Sequence, residues 1–499
     1  MPFAAKSASN EQLNHERLTP LQRLFGSAQI FAFSLTFMST WEGMCTNMWF
    51  ALYNGGPQTF VWSLVIVYCG ALCQSASLAE MASIQPIAGA QYHWTHHLAP
   101  VRWRRFITWM QGWLTWFGWI SLEAGIINIT AIILQSLVQL NNPDYVAERW
   151  HTTLFIFALL LVHGAMNVYA FWLIPWIELL AGIGHVCLFV VFVVVLVTLG
   201  PRHSARYIFL ETSTSSGWDN SFISWNLGML TCAWSFTGFD GALHMSEEVR
   251  KAKQAVPRAI FWTIALNGVF AYAMIIVILT VMGSIEDALD SDFPMIVILQ
   301  EVTGSDKATT AMVCGLFCIS FSVCLASIAS VSRLTWAWAR DKGLPTWFSV
   351  VDAKHHVPSR AIALCVVTVG LLALLNIGST AAFGAIIALS SLALYFSYLI
   401  AISCMLMARF NRDDPVKLGG WNLGSYGPYI NCFALVYTVW VMIFLPFPNT
   451  LPVDAVNMNY CGPIFGAVLI FALASWFLRA QKHWPGPNVE IVRLIIGQE

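Results

Sequence analysis

Ser39-Thr40-Trp41-Glu42-Gly43 and Ser235-Phe236-Thr237-Gly238-Phe239-Asp240-Gly241 interrupt two long apolar runs in a chain of 499 residues. Each interruption puts small or polar residues, a glycine and an acid near the middle of what would otherwise be a membrane helix. In hydrocarbon every backbone N–H and C=O needs a partner inside the protein, so unwound chain persists only where it faces a cavity or a bound molecule. The two interruptions lie about 196 residues apart, each in the first run of a group of five, which points to paired repeats with discontinuous helices around a central site. Ordinary glycine kinks used for close packing are the alternative.

Outward from these stretches the whole chain reads as a membrane protein. It is 58% hydrophobic and only 10% charged, with 23 tryptophans, where a soluble domain carries about 25% charged residues. The net charge of −1 offers no field for nucleic acid. A bilayer core about 30 Å thick needs about 20 helical residues. Twelve runs meet that length: 27–54, 59–82, 104–139, 151–169, 171–199, 222–249, 258–283, 307–336, 359–376, 380–408, 427–446 and 457–479. The fold class expected is therefore an all-α membrane protein. Residues 1–26 are polar and lack the pattern of a secretory leader.

Charge supplies the orientation. With residue 1 cytoplasmic and twelve spans, 25 basic residues divide so that all but Arg149, Arg202, Arg206 and Lys307 fall on the cytoplasmic side. The inner set includes Lys6, Arg17, Arg23, Arg104, Lys251, Arg258, Arg333, Arg340, Arg409, Arg412 and Arg493. Losing one span would reverse everything after it and spoil the partition. The 12 cysteines, Cys69 with Cys73 and Cys314 with Cys318 among them, read as small buried hydrophobes, because no metal-like Cys/His cluster accompanies them.

Five carboxylates fall in or near the spans: Glu42, Glu80, Glu123, Glu178 and Asp240. An embedded acid is costly unless paired, hydrated or protonated, so each marks a site or a scaffold contact. Glu80, near the end of the second run, reads as scaffold. Glu42 and Asp240 lie in the interruptions, and their negative potential favours a cationic guest.

Ser77-Leu78-Ala79-Glu80-Met81-Ala82, followed by Pro86, Gly89 and Tyr92-His93-Trp94, resembles the second-helix signature of the amino acid/polyamine/organocation permeases. Gly238 through Glu248, Val256-Pro257-Arg258-Ala259, and Ser332-Arg333 leading to Ala339-Arg340-Asp341-Lys342-Gly343-Leu344-Pro345 resemble the fungal choline, GABA and amino acid permease branch. The resemblance spans nearly the whole core. It implies two inverted five-helix repeats (27–199 and 222–408) with broken first and sixth helices, two additional helices (427–479), and cytoplasmic tails (1–26 and 480–499). It further implies uptake through the plasma membrane by alternating access.

Amino acid carriers of this family offer glycine-rich amides to the substrate carboxylate at the first break, where helix dipoles favour an anion. Here bulky Trp41 and acidic Glu42 occupy that stretch. A quaternary ammonium donates no hydrogen bonds and is held by aromatic faces and an acid, each cation–π contact contributing about 0.5 to 2 kcal/mol. The expected substrate is thus choline or another small organic cation, with Thr40, Trp41, Glu42, Trp234, Phe236, Thr237, Phe239 and Asp240 around it. Trp113, Trp116 and Trp119 add aromatic surface in the third run, although packing or interface anchoring is the plainer role of any one tryptophan. GABA or another amino acid is the runner-up; a transport-inactive receptor and a channel are readings of a different class.

Glu123, Glu178 and His185 are the candidates for proton coupling, with sodium at opened carbonyls as the other choice. No cofactor, metal, nucleic acid or obligate protein partner is expected, nor any enzyme activity. The acidic loop 284–306 reads as a solvated cap, and Glu247 and Glu248 as local partners of Arg250 and Lys251 on a short charged helix.

Overall fold

The computed structural model of the protein describes residues 21–291, 293–411, 415–455, 457–490 and 492. Lys6, Arg17, Asp292, Arg412 and Arg493, with most of the expected N-terminal tail and of the leader-peptide reading and the last residues of the expected C-terminal tail, lie outside these residues.

The described chain is helical, running through α1 (Ser27–Met38), α2 (Thr40–Ile84), α3 (Gln91–Leu98), α4 (Arg104–Asn141), α5 (Arg149–Tyr169), α6 (Ile174–Leu199) and α7 (Ala205–Leu210). It continues with α8 (Ser221–Ser235), α9 (Gly241–His244), α10 (Ala252–Val281), α11 (Ile285–Leu289) and α12 (Pro294–Thr303). The last elements are α13 (Asp306–Arg340), α14 (Ser359–Ala373), α15 (Leu375–Gly378), α16 (Thr380–Phe410), α17 (Gly427–Phe444) and α18 (Cys461–Ser475). Among the described residues, ten helical segments are long and apolar enough to cross a membrane.

Two expected runs are not separate members of that set. Runs 27–54 and 59–82 fall within one segment, Ser27–Ile84. α2 nevertheless reverses at Gly56, which has φ 71° and ψ −161°, and Pro57 removes a donor just after it. A Cβ on Gly56 would lie 2.7 Å from the Ser213 backbone nitrogen. The reversal is read along α8: Ser224 donates to the Asn54 carbonyl, Gly228 packs against both Ala51 and Thr59, Ser63 meets Cys232, and Gly43 approaches Ser235. Numbers on one limb fall as those on the other rise, so the two limbs of α2 are antiparallel. Run 222–249 is divided into α8, the turns at 236–240 and α9, each too short to cross a membrane alone.

α4 is mostly buried, whereas α6 and the final helix expose apolar faces that carry Leu180, Val190, Ile470 and Leu478. A helix apolar on all sides suits a lipid surround, where water supplies no force between helices and close packing holds the bundle. All 12 cysteines are free, but Cys69, Cys187, Cys314, Cys318 and Cys432 are exposed, so burial holds for only part of the set. α12 packs Met295, Ile298 and Leu299 inward, and the Trp49 indole donates to the Leu289 carbonyl at 2.8 Å. The 284–306 segment is therefore a packed element with solvated acids on its outside.

Candidate functional site

The first break is narrower than expected. Ser39 alone leaves helical geometry, at φ 33° and ψ 48°, and Thr40 through Gly43 form the first turn of α2. A left-handed serine costs on the order of 1 kcal/mol, and Asn267 of α10 compensates. Its side-chain amide donates to the Leu35 carbonyl at 3.2 Å and accepts from the Thr40 N–H at 3.2 Å, tying together the two ends that the break separates.

The second break turns on Gly238, at φ 89°, where a Cβ would meet Leu122 Cδ2 at 2.6 Å. Asp240 just beyond it is fully buried. Its carboxylate accepts from Tyr398 Oη at 2.6 Å, from Trp119 Nε1 at 3.0 Å and from the Gln91 amide, with His244 Nε2 at 3.5 Å. Three neutral donors and an imidazole leave this acid no free face for a guest; it fastens the unwound strand to α3, α4 and α16.

Between the breaks lies a cavity. The first helix contributes Phe37, Met38, Ser39, Glu42, Gly43 and Thr46, and α8 with its following turn contributes Trp234, Ser235 and Thr237. α4 closes one side with Leu122, Ile126, Ile129 and Ile133, and α13 another with Leu316, Ile319, Ser320 and Val323. Among the described residues Glu42 is the one ionisable side chain on this wall, and its Oε2 has no hydrogen-bond partner. Its Oε1 lies 2.7 Å from His185 Nδ1 of α6. His185 is fully buried, its ring centroid 6.0 Å from Trp41 and 5.8 Å from Phe270, and its Nε2 is unpartnered.

The structure thus brings Glu42, Trp234 and Thr237 to the cavity and places the other expected residues behind it. Trp41 packs against His185, Phe189 and Phe192 of α6. The cause is the helical winding of 40–43: successive residues are rotated by about 100°, so Glu42 and Trp41 point to different sides. Thr40 engages Asn267 through its backbone, Phe236 lies against Tyr68, and Phe239 against Tyr398. Trp116 donates to Thr335 and Trp113 packs with Trp109, Trp338 and Phe471, which is packing as the plainer reading had it. Phe37 takes the aromatic place that Trp41 does not.

Of the three coupling candidates, His185 is the one hydrogen-bonded to a cavity residue among the described residues. Glu178, on the same side of α6, accepts from Thr36 of α1 and keeps one oxygen without a partner. Glu123 is buried in α4 beside Ser327 of α13. Asn267, Gln91 and Tyr398 were not anticipated. Each is a polar group inside an apolar run or its flank, a signal that names a scaffold contact without saying to what.

One end of the bundle is sealed beneath the breaks. Phe25 N–H donates to the Glu248 carbonyl at 3.1 Å and Arg250 N–H to the Phe25 carbonyl at 2.9 Å, forming an isolated parallel bridge between Phe25 and Val249. Glu247 pairs bidentately with Arg340 at 2.8 and 2.9 Å, and Glu248 with the buried Arg333 at 2.7 Å. These acids therefore bind across the bundle to α13 rather than to Arg250 and Lys251, because residues 246–248 form a single tight turn and not the start of a charged helix. Arg333 also lies 4.0 Å from the centre of the Phe171 ring. Glu80 meets the scaffold expectation, pairing with Arg409 and accepting from the Leu423 N–H.

Beside this seal, Asp341 accepts from Tyr92 and the Asn488 N–H and meets His93 at 2.8 Å. Burial opposes its charge, yet His93 and Arg340 hold the carboxyl below its ordinary range. His96, nearby on α3, is pushed down to about 4 by burial, with Arg104 adding to the effect.

Residues 25–470 match the family pattern described as amino acid permease. The chain is 28% identical over 472 residues to the choline transporter of Saccharomyces cerevisiae, covering 93% of this chain and 83% of that one. It is also 28% identical to an uncharacterized amino-acid permease of Schizosaccharomyces pombe (98% and 91% covered) and to amino-acid permease 2 of Neurospora crassa (94% and 87%). The matched pattern begins before α1 and runs into α18, so that it reaches every candidate span among the described residues, and the chain is therefore a multi-pass membrane transporter of the amino acid permease family.

Proposed function

We propose that the protein takes up choline, or a close quaternary ammonium, through the plasma membrane by alternating access. The observation that carries this reading is Glu42: the one ionisable side chain on a wall of hydroxyl and apolar groups that also holds Trp234 and Phe37, with one carboxylate oxygen unpartnered among the described residues. In such a cavity a permanent cation gains an ion pair and aromatic faces and leaves no donor unsatisfied. The similarity to a choline transporter points the same way. In this account the limbs of α2 count as two spans and residues 221–248 as one, giving twelve. Residues 27–199 and 222–408 are inverted repeats, 427–479 follow as two further helices, and both termini are cytoplasmic. The antiparallel course of α8 beside the first limb of α2 supports that symmetry. The cavity then opens outward, and the seal at Glu247, Glu248 and Phe25 closes the inner side.

Glu42 has one charge to share between cargo and His185. A neutral imidazole leaves that charge to choline, which the membrane potential draws inward at about 2.3 kcal/mol per 100 mV. An imidazolium would offset it and would favour a substrate carboxylate instead. The second reading, uptake of GABA or another amino acid with a proton, rests on this His185–Glu42 contact at 2.7 Å and on the family. Uptake of labelled choline and labelled GABA into proteoliposomes, each with the other as competitor and with sodium present or absent, separates the two. Choline flux that GABA does not suppress supports the first; GABA flux with no choline flux overturns it.

A further inference from the structure

Away from the central cavity, a groove of about 390 Å³ lies between the N-terminal end of α1 and the first turns of α10, on the sealed end of the bundle. Its upper rim carries Lys251, Gln254 and Arg258, and among the described residues no acid lines it. Arg333, Arg340 and Arg409 at the same end are all committed to carboxylates. The side chains of Lys251 and Arg258, by contrast, are exposed and have no hydrogen-bond or ion-pair partner among the described residues. An uncompensated pair of cations at one rim selects an anion.

The rest of the groove changes character with depth. Arg258, Trp262 and Leu266 stand four residues apart on α10, so the wall passes from charge to indole to aliphatic over about 12 Å. Phe31 of α1 forms the facing wall, and the buried Ala255 and Ala259 keep the floor shallow. Trp262 and Leu266 are exposed, and on a membrane-spanning helix that exposure is to lipid. A small free anion would use only the rim. A molecule with an anionic head and hydrocarbon tails uses all of it.

We propose that this groove is a binding site for one anionic phospholipid from the leaflet at the sealed end, its phosphate between Lys251 and Arg258 and an acyl chain along Phe31, Trp262 and Leu266. Basic pockets between membrane helices recognise such head groups. The site joins α1, below its break, to α10, which holds that break through Asn267.

Native mass spectrometry of purified full-length protein in a mixture of phosphatidylcholine and phosphatidylglycerol reads the retained lipid directly. The wild type should keep one phosphatidylglycerol with at least tenfold preference, and Lys251→Gln/Arg258→Gln should lose that preference. Lys342→Gln/Lys354→Gln, which removes two charges from the same end, should keep it, as should the charge-conserving Lys251→Arg/Arg258→Lys. Equal retention by the first double variant, or no preference in the wild type, overturns the site. Displacement of the lipid by millimolar glycerol phosphate would mark the rim as a site for a free anion and overturn it too. Should the first double variant not purify, the exposed Trp262→Ala carries the test: it should reduce retention of the lipid, and unchanged retention contradicts the proposal.

Discussion

Asn267 holds the two ends of the first break with one amide, and its removal leaves the buried Thr40 N–H without its acceptor, while the Leu35 carbonyl keeps only the Ser39 N–H. Asn267→Ala should lower stability by about 1–3 kcal/mol, read as a reduced melting midpoint in detergent. Trp234 and Trp41 separate binding from packing. Trp234→Ala should weaken choline binding roughly twofold to thirtyfold, the span of one cation–π contact, while Trp41→Phe should leave affinity unchanged. The reverse order would put the aromatic wall where the sequence first suggested it. His96 gives a pH signature outside the membrane helices. Its pKa falls to about 4 in the fold from an ordinary 6.5, so the unfolded chain takes up a proton first and stability declines as pH drops from 6.5 toward 4. A His96→Gln variant should therefore show a smaller loss of melting midpoint between pH 7.5 and 5 than the wild type; equal losses would contradict the assignment.

At the scale of elements, both breaks were legible in the sequence because a glycine or serine beside an acid is out of place inside hydrocarbon. Their extents were not. The first shrinks to Ser39 because nothing in Thr40-Trp41-Glu42-Gly43 prevents helix, and only a rotation visible in three dimensions sends Glu42 to the cavity and Trp41 away. Asp240 was legible as costly but not as fully occupied, since Gln91, Trp119 and Tyr398 arrive from three other helices. Glu247 and Glu248 carried a local pattern that long-range ion pairs override. Gly238→Ala tests the second break: a φ of 89° strains any L side chain there, and the added methyl group would have to displace the Leu122 side chain, which would lie 2.6 Å from it. It should cost the protein transport and several degrees of melting midpoint, whereas Gly384→Ala, where nothing lies within 4 Å, should be neutral.

For the whole molecule, the ion pairs of Glu247 and Glu248 tie one end of the bundle together beyond the central cavity between the breaks. Arg333 and Glu248 are buried together, so Arg333→Met should cost about 3–5 kcal/mol by stranding the carboxylate, and adding Glu248→Gln should restore much of it. Restored stability without restored transport would identify the pair as part of the moving gate. The all-helical membrane organisation follows from apolar run lengths, which show where helices lie but not which side chain meets the cargo. That question comes down to Glu42. Choline affinity of purified wild type and Glu42→Gln, measured by equilibrium binding in detergent, should differ by at least about tenfold, or 1.4 kcal/mol, with the melting midpoint preserved. Equal affinities would remove the carboxylate from the site and the account with it.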